Sequence, residues 1–177
     1  MSEKIKCITG GRVIDPSCGY DKHADLLIEE GKIAALGEKI AAPEGAEIID
    51  ASGYIVVPGL IDMHVHLRDP GQEYKEDINS GTRAAAAGGF TAVATMANTD
   101  PVCDNPSNVR YVIEQAARAH AKVYPIGAVS KGLEGKEIAE IGRMKKTGAV
   151  AFSDDGNPIM DSQLMYHILQ YASGIDA

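Results

Sequence analysis

The chain has no tryptophan, only two phenylalanines and only three cysteines in 177 residues. Cys7, Cys18 and Cys103 are odd in number, far apart and form no C-x-x-C pair, which argues against a disulfide framework or a four-cysteine zinc site. They read as reduced, structural thiols. Basic clusters are missing too: 17 Lys and Arg stand against 25 Asp and Glu, the formal charge is −8, and the longest basic run is the pair Lys145-Lys146. That balance, with aromatics at 5%, argues against a nucleic-acid partner, which needs a cationic surface and stacking rings. Single arginines could still hold small anions. No apolar run approaches the roughly 20 residues that span a bilayer, and the start, Met1-Ser-Glu-Lys4, lacks the pattern of a signal peptide. A cytoplasmic protein without a membrane partner is expected. The length suits one large domain, or a small domain plus part of a larger one.

What is present is a run from Pro58 to Gly71, PGLIDMHVHLRDPG, in which an apolar stretch ends in two histidines one residue apart. Strand side chains alternate between faces, so Asp62, His64, His66 and Arg68 are expected on one side and Ile61, Met63, Val65 and Leu67 on the other, packed against helices. Two imidazoles at i and i+2 can reach one divalent ion or a pair of ions, and Zn²⁺ is a common guest for nitrogen ligands. Taken alone, the spacing also suits two polar residues on an exposed antiparallel face.

Around this run the chain changes rhythm. Residues 1–54 carry short β-type runs (5–9, 11–14, 25–29, 32–36 and 47–49), with a tight turn at Glu30-Gly31, and predict a meander or small β-sandwich segment. Residues 55–177 alternate strand and helix: strands over 55–66, 91–97, 123–129 and 149–153, helices over 76–87, 107–119, 136–146 and 161–171. Alternating βα units imply an α/β fold with a parallel sheet, and four of them make either a small open sheet or the first half of a TIM-like (β/α)8 barrel. Polar residues gather where barrel enzymes keep their chemistry, at the carboxyl ends of the strands: His64, His66 and Arg68, then Asn98, then Asp154-Asp155. On the fourth strand Val150, Phe152 and Asp154 form the bulky face that should meet helices. Ala149, Ala151, Ser153 and Asp155 then point inward, which makes Asp155 the better ligand, although Asp154-Asp155-Gly156 also reads as a plain turn. A two-metal site on a barrel needs an anion between its ions; the fourth strand has no lysine to be carboxylated, so Asp155 is the available anion.

Residues 58–76, together with AAGGFTAV (86–93), MANTDP (96–101), AFSDDG (151–156) and the opening meander with Glu30-Gly-Lys-Ile33, resemble the class I dihydroorotases of the amidohydrolase superfamily. The resemblance runs from about residue 5 to the end of the chain. It implies a metal-dependent hydrolase barrel holding one or two Zn²⁺ ions, with His64, His66 and Asp155 as metal ligands and with His66, Arg68 and Asn98 at the substrate. The implied reaction interconverts N-carbamoyl-L-aspartate and L-dihydroorotate in pyrimidine synthesis, and Arg68 would offer a planar fork of donors to the substrate carboxylate. Allantoinase, hydantoinase or a non-catalytic dihydroorotase-like subunit are the alternatives. A homodimer, or a complex with aspartate transcarbamoylase, would be the assembly. Where the family usually has Met-Pro-Asn-Thr this chain has Ala97 before Asn98, which predicts a looser loop. The resemblance also places further histidine ligands and an aspartate general acid/base beyond Ala177. The expectation is therefore an amino-terminal portion, inactive by itself, that contains no catalytic acid or base. His23, His120 and His167 read as surface or structural residues.

Overall fold

A computed structural model describes residues 5–177; the stretch read for a leader, Met1 to Lys4, lies outside them. The chain divides into two compact units, Met1–Pro58 and Gly59–Ala177.

The first unit is built on β1 (Lys6–Asp15), which pairs antiparallel with β2 (Tyr20–Glu29), itself antiparallel to β3 (Lys32–Gly37). Two short strands, β4 (Glu47–Asp50) and β5 (Ile55–Val56), run parallel to β1 at successive positions along it. The two runs expected at 5–9 and 11–14 are thus one strand, bent where the register shifts between Ile8 and Gly11. Gly10 supplies the positive φ of 73° that the bend requires. The hairpin between β2 and β3 turns at Glu30-Gly31, whose φ values of 50° and 71° suit the twist of a tight hairpin. Val13, Ala24 and Leu26 form the buried centre of this sheet.

The second unit holds four parallel strands in sequence order: β6 (Leu60–Val65), β7 (Phe90–Thr95), β8 (Lys122–Gly127) and β9 (Ala151–Phe152). Each is followed by a helix: α1 (Ile78–Ala87), α2 (Pro106–Gln115), α3 (Ile141–Thr147) and α4 (Ser162–Gly174). This is the α/β topology of half an eight-stranded barrel. Helix starts follow local chemistry. Asp77 caps α1 by accepting from Ser80 N–H at 2.6 Å, and Asn105 caps α2, with Pro106 next, where a missing N–H costs nothing. The third helix, expected from residue 136, begins only at Ile141, after a 3₁₀ turn at Lys131–Leu133 and an isolated bridge between Ser130 and Ile138.

Two buried layers hold the unit together. Leu67, Ile78, Val93 and Val112 fill the space between the first two strands and their helices, and Val109, Ala128, Met144 and Ala149 do so further along. Complete burial of a Val or Met side chain contributes about 1.5–3 kcal/mol, and Val109 and Met144 are 0% exposed. On the opposite face of the sheet lies a smaller cluster, Ala94, Met96 and Ile126.

The expected strand over 55–66 is two elements: Ile55–Val56 belongs to the first sheet, and β6 begins at Leu60. Alternation along β6 also fails once. Ile61 pairs with Ala92 and Asp62 with Val93, but the register shifts before Val65, which pairs with Thr95. Parallel partners share a face, so Asp62 faces the helix side with Val93, where it lines a cavity of about 270 Å³ with Glu76 and Ala85. Ile61 turns the other way and is 63% exposed. The expectation that Asp62 sits with the histidines and Ile61 against helices is corrected on both counts, and Met63, expected against the helices too, is 76% exposed; Val65 and Leu67 do pack as expected. The irregularity has a local cause, since Asp62 Oδ1 accepts from His64 N–H at 3.1 Å and bends the chain between them. On the last strand Phe152 packs towards the helices, but Val150 is 53% exposed and Ala149 lies in the core beside Met144. Those two residues precede β9, so the alternation assumed for them does not hold.

Candidate metal and substrate site

At the carboxyl end of β6 the bend leaves His64 and His66 on one side of the chain. Their rings meet edge to face with centroids 5.3 Å apart. From the end of β9, Asp155 reaches both: Oδ1 lies 3.4 Å from His64 Nε2, and Oδ2 lies 3.5 Å from His66 Nε2. One ligand atom from each of the three residues falls within 4.8 Å of the others. Donors bonded at about 2.1 Å to a tetrahedral ion stand about 3.4 Å apart, so the spacing and the nitrogen-nitrogen-oxygen donor set fit a zinc-like ion. The two carboxylate oxygens are divided between the imidazoles, which suits one shared ion or a pair.

His66 is the better fixed of the two rings. Its Nδ1 lies 3.0 Å from Asn98 Oδ1, contributed by the loop after β7. With Nδ1 protonated, the amide oxygen accepts from it and the lone pair is left on Nε2, the atom that faces Asp155. Asn98 was expected at the substrate alone, and this second contact, across 32 residues, leaves no trace in sequence periodicity. Among the described residues no partner takes the Asn98 NH₂ group. Before Asn98 in this loop stands Ala97, where a looser loop was expected. That residue is 1% exposed, and its carbonyl accepts from Thr99 and Cys103 N–H at 2.9 and 3.0 Å.

Arg68 lies beyond the strand rather than on it. Its backbone is left-handed, with φ 63°, and its carbonyl accepts from Gln72 N–H at 2.9 Å. The expected alignment of Arg68 with the histidines by strand alternation therefore does not apply; a turn carries it. Among the described residues its guanidinium enters no ion pair.

The next residue anchors that turn. Asp69 is buried and accepts from the Tyr111 hydroxyl at 2.8 Å, tying the turn to α2; a longer contact of 3.5 Å comes from Ile78 N–H. The hydrogen bond to Asp69, aided by burial, pushes the Tyr111 phenol up to about 12. The folded state thus holds this proton more tightly than the unfolded chain does. The stabilisation is complete below the unfolded phenol value near 10 and is lost as pH rises from there through about 12. Tyr111→Phe is expected to remove this alkaline dependence and to destabilise the chain by about 1–3 kcal/mol at neutral pH, because Asp69 loses its principal partner. Urea unfolding of both chains at pH 7 and between pH 9 and 12 measures both effects.

The metal-ligand group found among the described residues includes none of the other histidines. His23 lies on β2, His120 follows a 3₁₀ turn and His167 sits on α4, all three exposed. The cysteines are free, with Cys7 and Cys103 buried and Cys18 exposed. Burial, with Asp104 beside it, pushes the Cys103 thiol up to about 12, in keeping with a structural thiol. No helix among the described residues is long and apolar enough to cross a membrane.

Known proteins share this architecture. The chain is 58% identical over 170 residues to a dihydroorotase of Syntrophotalea carbinolica, covering 96% of this chain and 40% of that protein. It is 56% identical over 169 residues to a dihydroorotase of Geobacter sulfurreducens, covering 95% and 40%. It thus spans 40% of the length of these relatives. Among solved structures, the L-hydantoinase (dihydropyrimidinase) of Arthrobacter aurescens superposes with a TM-score of 0.83 at 26% identity, over 100% of this chain and 40% of that one. A D-hydantoinase follows at 0.78 and 27% identity, over 98% and 38%. The family model described as dihydro-orotase-like matches residues 53–177, and with that match the βα half-barrel and its His-x-His strand belong to the dihydroorotase-like family.

Proposed function

We propose that this chain is the amino-terminal part of a zinc-dependent dihydroorotase that interconverts N-carbamoyl-L-aspartate and L-dihydroorotate in pyrimidine synthesis. The observation that carries the reading is the convergence of His64, His66 and Asp155 at the carboxyl ends of β6 and β9, in a chain 58% identical to a dihydroorotase. The two imidazoles would hold one or two zinc ions through Nε2, and Asp155 would do so through its carboxylate. When bound, such an ion supplies Lewis-acid polarisation of the cyclic amide carbonyl and makes water nucleophilic at neutral pH. The remaining work falls to the chain's own residues. Arg68, without an ion partner among the described residues, would grip the substrate carboxylate, and the Asn98 NH₂ group would add a second donor while its oxygen keeps His66 in the ligating tautomer. In the hydrolytic direction the ring C–N bond breaks and the leaving nitrogen must gain a proton. Within our reading no residue of this chain gives it; an aspartate beyond Ala177 would.

We propose accordingly that the two units are a β-rich domain and the first four βα units of a barrel, with the boundary at Pro58–Gly59 rather than at 54–55 because Ile55–Val56 pairs with β1, and that these units are inactive without the remainder. The setting would be the cytoplasm, and the assembly a homodimer or a complex with aspartate transcarbamoylase. The test is turnover by the completed barrel on dihydroorotate, allantoin and hydantoin. Preference for dihydroorotate is expected, and preference for either of the others overturns the assignment. Arg68→Ala should raise KM for dihydroorotate by about 10- to 100-fold, the loss of a charged hydrogen bond, with a smaller effect on kcat. An unchanged KM would remove Arg68 from the substrate.

A further inference from the structure

We infer that Asp154 is a positioning residue that aims Asp155 at the two histidines by clasping the end of β9 to the loop after β8; this rests on the metal-binding reading of that trio. The strand itself cannot do the aiming. β9 is two residues long and pairs with β8 only at Ile126↔Ala151 and Gly127↔Phe152. The flanking bonds from Val150 N–H to the Pro125 carbonyl and from Ser153 N–H to the Gly127 carbonyl, at 3.0 and 2.9 Å, complete the ladder. Beyond Ser153 no strand pairing holds the backbone that carries Asp155.

The Asp154 side chain supplies the missing attachment. It is 8% exposed, and its Oδ1 accepts from Val129 N–H at 2.7 Å and from Ser130 N–H at 3.0 Å. Its Oδ2 accepts from the Ser130 hydroxyl. Ser130 is 0% exposed and its oxygen in turn accepts from Gly135 N–H at 2.8 Å, so the anchor is itself anchored. Among the described residues no cation pairs with Asp154. A buried carboxylate bonded only to neutral donors is costly unless every donor is in place, so this cluster accepts residue 154 in one position. Asp154 opens the turn that carries Asp155; anchoring its carboxylate to the loop after β8 therefore fixes the point from which Asp155 reaches His64 and His66. A plain turn would not need the carboxylate. The turn is closed by the Asp154 carbonyl, which accepts from Asn157 N–H at 2.7 Å whatever the side chain.

Cobalt(II) titration of the 177-residue chain, followed by visible ligand-field absorption, reads donor affinity and geometry without turnover. Asp154→Asn turns an NH₂ group towards donors, and is expected to weaken cobalt binding by about 10- to 100-fold and to change the absorption band. Ser130→Ala keeps both backbone donors and removes only the hydroxyl, with about a 3- to 10-fold loss expected. Melting of the metal-free chains reports the structural share separately. Unchanged cobalt affinity and spectrum in folded Asp154→Asn, or in Ser130→Ala should Asp154→Asn not fold, overturns the inference and leaves the metal reading standing. A completed barrel that binds neither cobalt nor zinc overturns both.

Discussion

His66→Ala is expected to lower the zinc affinity of the chain by about 100-fold or more, a larger loss than removing a supporting residue causes. Among the described residues three would supply donors, and the two that would remain, His64 and Asp155, include the less well held ring. His64 has a side chain 54% exposed and touches its neighbour only edge to face, whereas His66 is 30% exposed and is held at Nδ1 by Asn98. A ring already oriented loses little rotational freedom on ligation, so more of its bond strength appears as affinity. The order of effects should therefore be His66→Ala, then His64→Ala, then Asn98→Ala at about 10-fold. Asn98→Ala keeps all three donors and frees only the ring. Competition against a chromophoric chelator gives the affinities, and elemental analysis gives the stoichiometry. In the completed barrel both histidine variants should lose turnover together with zinc. A His66→Ala chain that holds zinc as tightly as its parent would remove the metal reading altogether.

The contrast between these residues also shows what a sequence encodes locally. The period-2 spacing of His64 and His66 does place both imidazoles together, but extending the same period to Asp62 and Arg68 fails. In one case the Asp62 side chain bonds the backbone two residues on and shifts the register; in the other the backbone turns left-handed. Both are single-residue events that a repeating pattern cannot carry. The four βα units were legible because amphipathic periodicity runs over many residues, and the helix starts expected at 76, 107 and 161 fall within about two residues of the capping side chains Asp77, Asn105 and Asp161. The start of α3 was not, because Glu140 makes no side-chain cap. Least legible were links between distant loops: Asn98 to His66 over 32 residues, Asp154 to Ser130 over 24 and Tyr111 to Asp69 over 42. Each is a single polar pair with no neighbouring repeat to announce it.

One such link, made by backbone alone, carries the largest expected stability effect. Gly71 closes the turn that begins at Arg68, with φ 94°, and lies against the loop that carries Asn98. A Cβ at this position would stand 1.9 Å from the Asp100 carbonyl oxygen and 2.7 Å from its carbon. The obstacle is main chain, tied by the bond from Asp100 N–H to the Pro70 carbonyl at 3.0 Å, and cannot swing away like a flexible side chain. Gly71→Ala thus combines left-handed backbone strain with overpacking, and is expected to cost about 3 kcal/mol or more. In a chain of this size that is about 6–12 °C in Tm. Gly89→Ala separates the two causes: its φ is 86°, but nothing lies within 4 Å of the added carbon, so strain alone should cost about 1 kcal/mol. The steric part also has a functional signature. Relief of the clash requires the Asp100 loop to move outward, and Asn98 with it, so Gly71→Ala should weaken zinc binding through the loss of the His66 anchor while Gly89→Ala leaves it unchanged. Thermal melts and zinc titrations of the two variants side by side decide the matter. Equal melting temperatures would mean that the two loops are not pressed together as the Gly71 contact requires.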